Sequence, residues 1–182
     1  LVSKDPLGLK KFIRTVDNFP IDAIAFRDIT SLIETPEAFV KTCDELTKIT
    51  RNFGADIVAS IESRGFIFAG TIARDLNLPF VLARKPGKLP NETYKKSFDL
   101  EYGSTSIEIQ KNTEIKNNQK IVIVDDLVAT GGTAIACSEI FTENFNVKSE
   151  NILILSIIDL PELGGSKLIS EKGYLIETLI DY

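Results

Sequence analysis

The sequence predicts an α/β fold: a central, mostly parallel sheet flanked by helices. A buried-strand pattern at Ala55–Ile61, a helical pattern at Gly65–Leu76 and a strand pattern at Phe80–Ala83 follow one another. That is the order of a βαβ unit, whose parallel strands need helices on their faces. The order returns at Ile121–Val124, a helical stretch from about Thr133 to Phe145, and Asn151–Ile158. The length of 182 residues, 43% hydrophobic and 26% charged, suits one globular domain.

Taken along the chain, Asp5–Asn18 spaces Leu7, Leu9, Phe12, Ile13 and Val16 in a roughly helical way and stops at Phe19-Pro20, so a helix is expected there. Thr35-Pro36 offers an N-cap followed by proline at the first helical position. Phe39, Cys43, Leu46, Ile49 and Phe53 then form one apolar stripe that ends at Gly54. Cys43 on that stripe, and Cys137 beside Ala134, Ile140 and Phe141, are expected as buried structural thiols. Arg84–Lys96 sets Arg84, Lys85, Lys88, Lys95 and Lys96 against Glu92, with Pro86, Gly87 and Pro90 marking a loop. Asp99–Tyr102 and Thr105–Gln110, joined at Gly103-Ser104, suggest a hairpin, and its place beside the basic loop suggests a mobile lid. Gly164-Gly165 indicates only a turn, and Leu175–Ile180 a terminal strand or core segment.

Composition excludes several functions. The net charge is −5 and the pI near 4.9, which argues against a general nucleic-acid binder. The apolar run Ile152–Ile158 is far short of the ~18 to 20 residues that cross a bilayer. Two distant cysteines make neither a Cys-x-x-Cys motif nor a disulfide scaffold, so a reducing cytoplasm is the expected setting and the sequon at Asn91 is expected to be idle. Histidine is absent, which removes His-based triads and most catalytic zinc sites and leaves carboxylate, Lys, Tyr or water to move protons. Methionine is absent too, so the N-terminus is not read for targeting.

The most informative stretch runs from Ile121 to Thr133: an apolar strand, the acids Asp125 and Asp126, then Thr130-Gly131-Gly132-Thr133 leading into a helix. Glycines let backbone approach an anion, the helix N-terminus turns N–H groups toward it, and threonine hydroxyls add donors. The expected result is a phosphate cradle at the carboxyl end of a strand, where open α/β sheets bind ligands. No Lys follows the glycines, so it is not the triphosphate P-loop. Neighbouring carboxylates suit the two hydroxyls of a ribose.

On these residues the sequence resembles the type I phosphoribosyltransferases, whose signature is a hydrophobic strand, two acids and a Thr-Gly cradle for the 5-phosphate of phosphoribosyl pyrophosphate. The hypoxanthine-guanine branch typically carries Asp where this chain has Ala129, as the adenine branch does. Phe19-Pro20 with Phe26-Arg27-Asp28-Ile29-Thr30 looks like the adenine-side hood. Glu62-Ser63-Arg64-Gly65-Phe66 looks like the pyrophosphate loop. Arg84 to Pro90, through Leu100-Glu101-Tyr102-Gly103, looks like the catalytic loop. The resemblance runs from about Asp17 to Asp159, with two departures: Ala23 stands where that family usually has Gly, and Glu62 replaces the Asp of some members.

The resemblance implies a single domain over residues 1–182, with a hood and N-terminal helix in 1–34 and a lid loop and hairpin in 84–110. It implies transfer of the phosphoribosyl group to adenine in purine salvage. Ala25, Phe26, Arg27 and Leu127 would hold the base, with Phe26 and Leu127 on its faces. Asp125 and Asp126 would bind the ribose, Ala129, Thr130, Gly131, Gly132 and Thr133 the 5-phosphate, and Ser63, Arg64, Arg84, Lys85 and Lys88 the pyrophosphate. Glu101, Tyr102 and Arg64 would be catalytic, Glu101 managing the N9 proton and Tyr102 packing over the sugar. Mg2+ would arrive mainly on the substrate, without a protein cage, and a homodimer is implied. Another base specificity on the same cradle, or a regulator that binds phosphoribosyl pyrophosphate without catalysis, are the alternatives, separated by base-dependent pyrophosphate release.

Overall fold

The structure, a computed structural model, describes residues 3–22, 24–100 and 103–182. After a short 3-10 turn at Lys10–Phe12, strand β1 (Arg14–Asp17) pairs antiparallel with β2 (Ala25–Asp28). The helix expected over Asp5–Asn18 does not form. Gly8 (φ 65°) and Asn18 (φ 58°) bend the chain out of helical geometry, and Thr15 and Val16 are β-branched. Leu9 and Ile13 are buried because they anchor this segment to the core, which gave their spacing its helical look.

Helix α1 (Thr30–Ile33) leads to α2 (Pro36–Phe53), which starts on Pro36 and closes where Gly54 (φ 74°) donates to Arg51 O. Thr35 is extended as a cap should be, but its hydroxyl donates to Ser31 O at 3.0 Å instead of capping the helix. Strand β3 (Ile57–Ile61), helix α3 (Gly65–Leu76) and strand β4 (Phe80–Ala83) form the expected βαβ unit.

Strands β5 (Thr93–Leu100) and β6 (Gly103–Gln110) form a hairpin longer than the sequence suggested. Thr93–Lys96 belong to it rather than to a loop, and Gly103 and Ser104 pair with Leu100 and Asp99 instead of making the turn. The charges of Lys95 and Lys96 hid an alternation. Tyr94 meets Phe145 edge-on at 5.3 Å, and Lys96 Nζ reaches Glu143 Oε1 at 2.6 Å and Glu139 Oε2 at 3.1 Å.

Strand β7 (Ile121–Val128), helix α4 (Gly132–Asn144), strand β8 (Ile152–Asp159), helix α5 (Gly165–Glu171) and strand β9 (Leu175–Asp181) complete the chain. Gly165 therefore opens a short helix where the sequence indicates only a turn; seven residues give too little periodicity to read.

The five-stranded sheet runs in the order β4-β3-β7-β8-β9 with every pair parallel. Its two faces are sorted by alternation. Ile57, Ala59, Ile121, Ile123, Ile152 and Ile154 pack with α4, α5 and the hairpin residues Ile107 and Ile109. Val58, Val122, Val124, Leu153 and Leu155 pack with α2, α3 and the N-terminal segment. Full burial of each Val, Leu or Ile side chain among them is worth about 1.5–3 kcal/mol. Both cysteines are buried, as expected. Among the described residues no helix is long and apolar enough to cross a membrane.

Candidate active site

Parallel strands end together, and the registers Ile61↔Ala83 and Ser60↔Val124 bring three chain segments to one edge. Glu62–Arg64 follow β3, Arg84 and Lys85 follow β4, and Asp125 and Asp126 lie near the end of β7. The Glu62–Ser63 peptide is cis. A cavity of about 330 Å³ opens there, lined by Glu62, Arg64, Lys85, Asp125, Asp126, Leu127 and Thr133. The hairpin supplies Phe98, Thr105, Ser106 and Ile107 to the same cavity. Phe98, Thr105 and Ser106 were missed from the sequence, because nothing local marks which hairpin residues face a cavity built on the distant ends of β3 and β7.

Two cations of the site, Arg64 and Arg84, sit on its carboxylates. Arg64 Nε donates to Asp126 Oδ2 at 2.5 Å, and Arg84 Nε donates to Glu62 Oε2 at 2.8 Å. Asp126 is buried, so a paired guanidinium offsets what its desolvation would cost. Asp125 accepts from the Asp126 N–H at 2.9 Å through Oδ1. Burial first, and the Asp126 carboxylate second, push the Asp125 carboxyl well above the usual aspartate range, against a smaller opposing pull from Arg64. Exposed Ser63 lies between Glu62 and Arg64. Lys88 does not join this group. It lines a separate cavity together with Leu82, Arg84 and Leu89, and Arg84 donates to Lys88 O at 3.3 Å.

The cradle is a second, smaller cavity of about 90 Å³, lined by Ala129, Thr130, Gly131, Gly132 and Thr133 and sharing Asp125, Leu127 and Thr133 with the first. Gly131 has φ 83°, which only glycine adopts at little cost, and this lets the strand turn directly into α4. The first intrahelical bond is Ile135 N–H to Gly131 O, so the amides just before it have no helical partner and are available to an anion.

The hood stands beside these cavities. Phe26 meets Phe19 edge-on with ring centroids 5.1 Å apart, and the Arg64 guanidinium lies 5.6 Å from the Phe26 ring. Arg27 stacks on the ring of Tyr182 at 4.0 Å, a contact no sequence pattern signalled, while Ala25 is exposed. Glu101, Tyr102 and Ala23 lie outside the described residues.

Open parallel sheets that bind phosphorylated sugars or nucleotides place the anion at a glycine turn on this edge, and the chain is of that class. Comparison narrows the class: a phosphoribosyl transferase domain matches residues 30–172, and the chain belongs to that family. It is 40% identical over 176 residues to an adenine phosphoribosyltransferase of Pelagibacter ubique, covering 97% of this chain and 98% of the relative. An adenine phosphoribosyltransferase of Agathobacter rectalis is 42% identical over 174 residues, covering 96% of this chain and 97% of the relative. Among solved structures, the adenine phosphoribosyltransferase of Thermoanaerobacter pseudethanolicus superposes with a TM-score of 0.87 at 37% identity, covering 96% of this chain and 98% of that one. The Giardia lamblia enzyme complexed with 9-deazaadenine gives 0.86 at 34% identity, covering 96% of each chain.

Proposed function

We infer that the protein transfers the 5-phosphoribosyl group from phosphoribosyl pyrophosphate to adenine, giving AMP and pyrophosphate in purine salvage. The observation that carries this reading is the pairing of a phosphate-sized cradle with an acid- and arginine-lined cavity in a chain of the phosphoribosyl transferase family.

The roles follow from where charge develops. Breaking the bond from ribose C1 to the diphosphate makes the sugar positive and the leaving group more negative. Arg64, Arg84 and Lys85 neutralise the diphosphate, which competes with Asp126 and Glu62 for the two guanidinium groups. Asp125 and Asp126 accept hydrogen bonds from the ribose hydroxyls. Thr130–Thr133 hold the 5-phosphate through backbone amides and hydroxyls, and Ser63 adds a donor to the pyrophosphate side. Lys88, set apart in the structure, serves the diphosphate only if the chain about Arg84 rearranges.

Adenine stacks between Phe26 and Leu127, with the Ala25 and Arg27 backbone on its edge. Glu101 takes up the N9 proton as N9 bonds to C1, and Tyr102 covers the sugar. The carboxylates of Asp125 and Asp126 offer only oxygen donors, which suits Mg2+, with the remaining ligands drawn from the substrate's own oxygens. When bound, Mg2+ adds positive charge on the diphosphate and eases its departure. A homodimer in the cytoplasm belongs to the same reading, and sedimentation tests its assembly state.

Pyrophosphate release tests the reaction. It should require adenine, phosphoribosyl pyrophosphate and Mg2+ together and match AMP formation mole for mole. Release without any base, or none with adenine, contradicts the reading.

A further inference from the structure

Gly165, at the start of α5, lies directly behind the cradle. Its N–H donates to Ala129 O at 3.1 Å. A Cβ built on Gly165 would stand 2.3 Å from Ala129 O, 2.7 Å from Gly131 N and 2.8 Å from Thr130 C. The contact is mutual, since a Cβ on Gly131 would stand 3.0 Å from Gly165 O. The neighbours here are all backbone, so no side chain can swing aside to make room.

We propose that Gly165 is a positioning residue for the 5-phosphate loop: its bare backbone is the support against which Ala129–Gly131 take their shape. The inference rests on the reading of those residues as the phosphate site. The support is itself held from below. Ile169 of α5 is fully buried against the core, and Lys172, at the end of α5, pairs with Glu139 of α4 at 2.8 Å. Glu139 also holds Lys96 of the hairpin at 3.1 Å. With α5 pinned at its far end, a side chain at 165 pushes the loop rather than the helix. Ala129 O would have to retreat by about 1 Å to reach ordinary van der Waals separation, a displacement that can cost about 10²-fold in a site whose geometry matters.

Calorimetry with AMP and with pyrophosphate gives the test. Gly165→Ala should weaken AMP by about 10²-fold while leaving pyrophosphate affinity, which depends on the far side of the site, near that of the parent. Gly164→Ala supplies the control. Gly164, unlike Gly165, has positive φ (75°), so alanine strains the backbone there, yet its Cβ meets nothing within 4 Å. It should keep parental AMP affinity. Equal losses in both variants, or equal losses for both ligands, overturn the proposal, because strain or general loosening would then explain the effect.

Should Gly165→Ala not fold, amide exchange in the unmodified protein decides. AMP should slow exchange at Gly165 together with Gly131–Thr133, and pyrophosphate should not. Protection confined to Gly131–Thr133 leaves the cradle standing and removes Gly165 from it; protection at neither segment overturns the phosphate reading as well.

Discussion

Phe26→Ala tests whether the hood holds the base. The ring makes two contacts in the structure: the edge-on pair with Phe19 at 5.1 Å and the Arg64 guanidinium at 5.6 Å. The first is worth about 0.5–1.5 kcal/mol and the second about 0.5–1 kcal/mol at an exposed position. Stacking of a nucleobase on an aromatic face adds about 1–3 kcal/mol when the base is bound. The KM for adenine should therefore rise about 5- to 150-fold. The KM for phosphoribosyl pyrophosphate should rise less than about 5-fold, the share that passes through Arg64. The loss of about 1–2.5 kcal/mol from the hood contacts should lower Tm by roughly 2–10 °C if the hood melts with the sheet. Phe26→Tyr, which keeps the ring face, should retain most of the adenine affinity. Initial rates with each substrate varied at saturation of the other provide the assay. An unchanged adenine KM, or an equal rise in both KM values, would refute the stacking role.

Asp125→Asn should lower kcat/KM by roughly 10- to 150-fold, the worth of about 1.5–3 kcal/mol for a hydrogen bond to a charged group, while raising Tm at pH 8. The native carboxyl titrates well above its ordinary 3.8, so between those values the folded state binds more protons than the unfolded one. Stability of the parent therefore falls as pH rises through that window. The Tm gain of Asp125→Asn should be full above the native value and vanish below about pH 4, and a gain independent of pH would contradict the assignment. Glu101→Gln should reduce kcat by about 10²- to 10⁴-fold with substrate affinities largely kept, as befits proton handling; a parental kcat would leave that residue without the role. Arg64→Ala should instead raise the KM for phosphoribosyl pyrophosphate as well as slow turnover, since the ground-state diphosphate already feels the lost charge, and an unchanged KM in steady-state kinetics would exclude that contact.

The sheet and the cradle were legible because their signals are local. Ile121–Val124 is a continuous apolar run, and Thr130–Thr133 concentrates turn glycines and hydroxyls where the strand ends, so Asp125 and Asp126 came with it, whereas Leu127 was named only through the family resemblance. Three features depended on contacts remote in sequence. The N-terminal segment took a strand over a helix because Asp17 and Ala25 pair across the bend at Phe19-Pro20, which spacing within Asp5–Asn18 does not record. The hairpin strand at Thr93–Lys96 was masked by lysines whose partners, Glu139 and Glu143, lie on α4. Gly165 resembled any turn glycine because its function depends on Ala129 and Gly131, which the fold alone brings against it. Lys88 shows the reverse: a basic residue of the expected loop that lines a different cavity.

The most direct test of the central claim is competition among bases at one site. With phosphoribosyl pyrophosphate and Mg2+ supplied, adenine, hypoxanthine, guanine and xanthine are presented separately and together, and the nucleotides formed are separated by chromatography. The account predicts AMP as the dominant product, with adenine giving the highest kcat/KM and suppressing the others in the mixture. Faster nucleotide formation from hypoxanthine, guanine or xanthine than from adenine would contradict it.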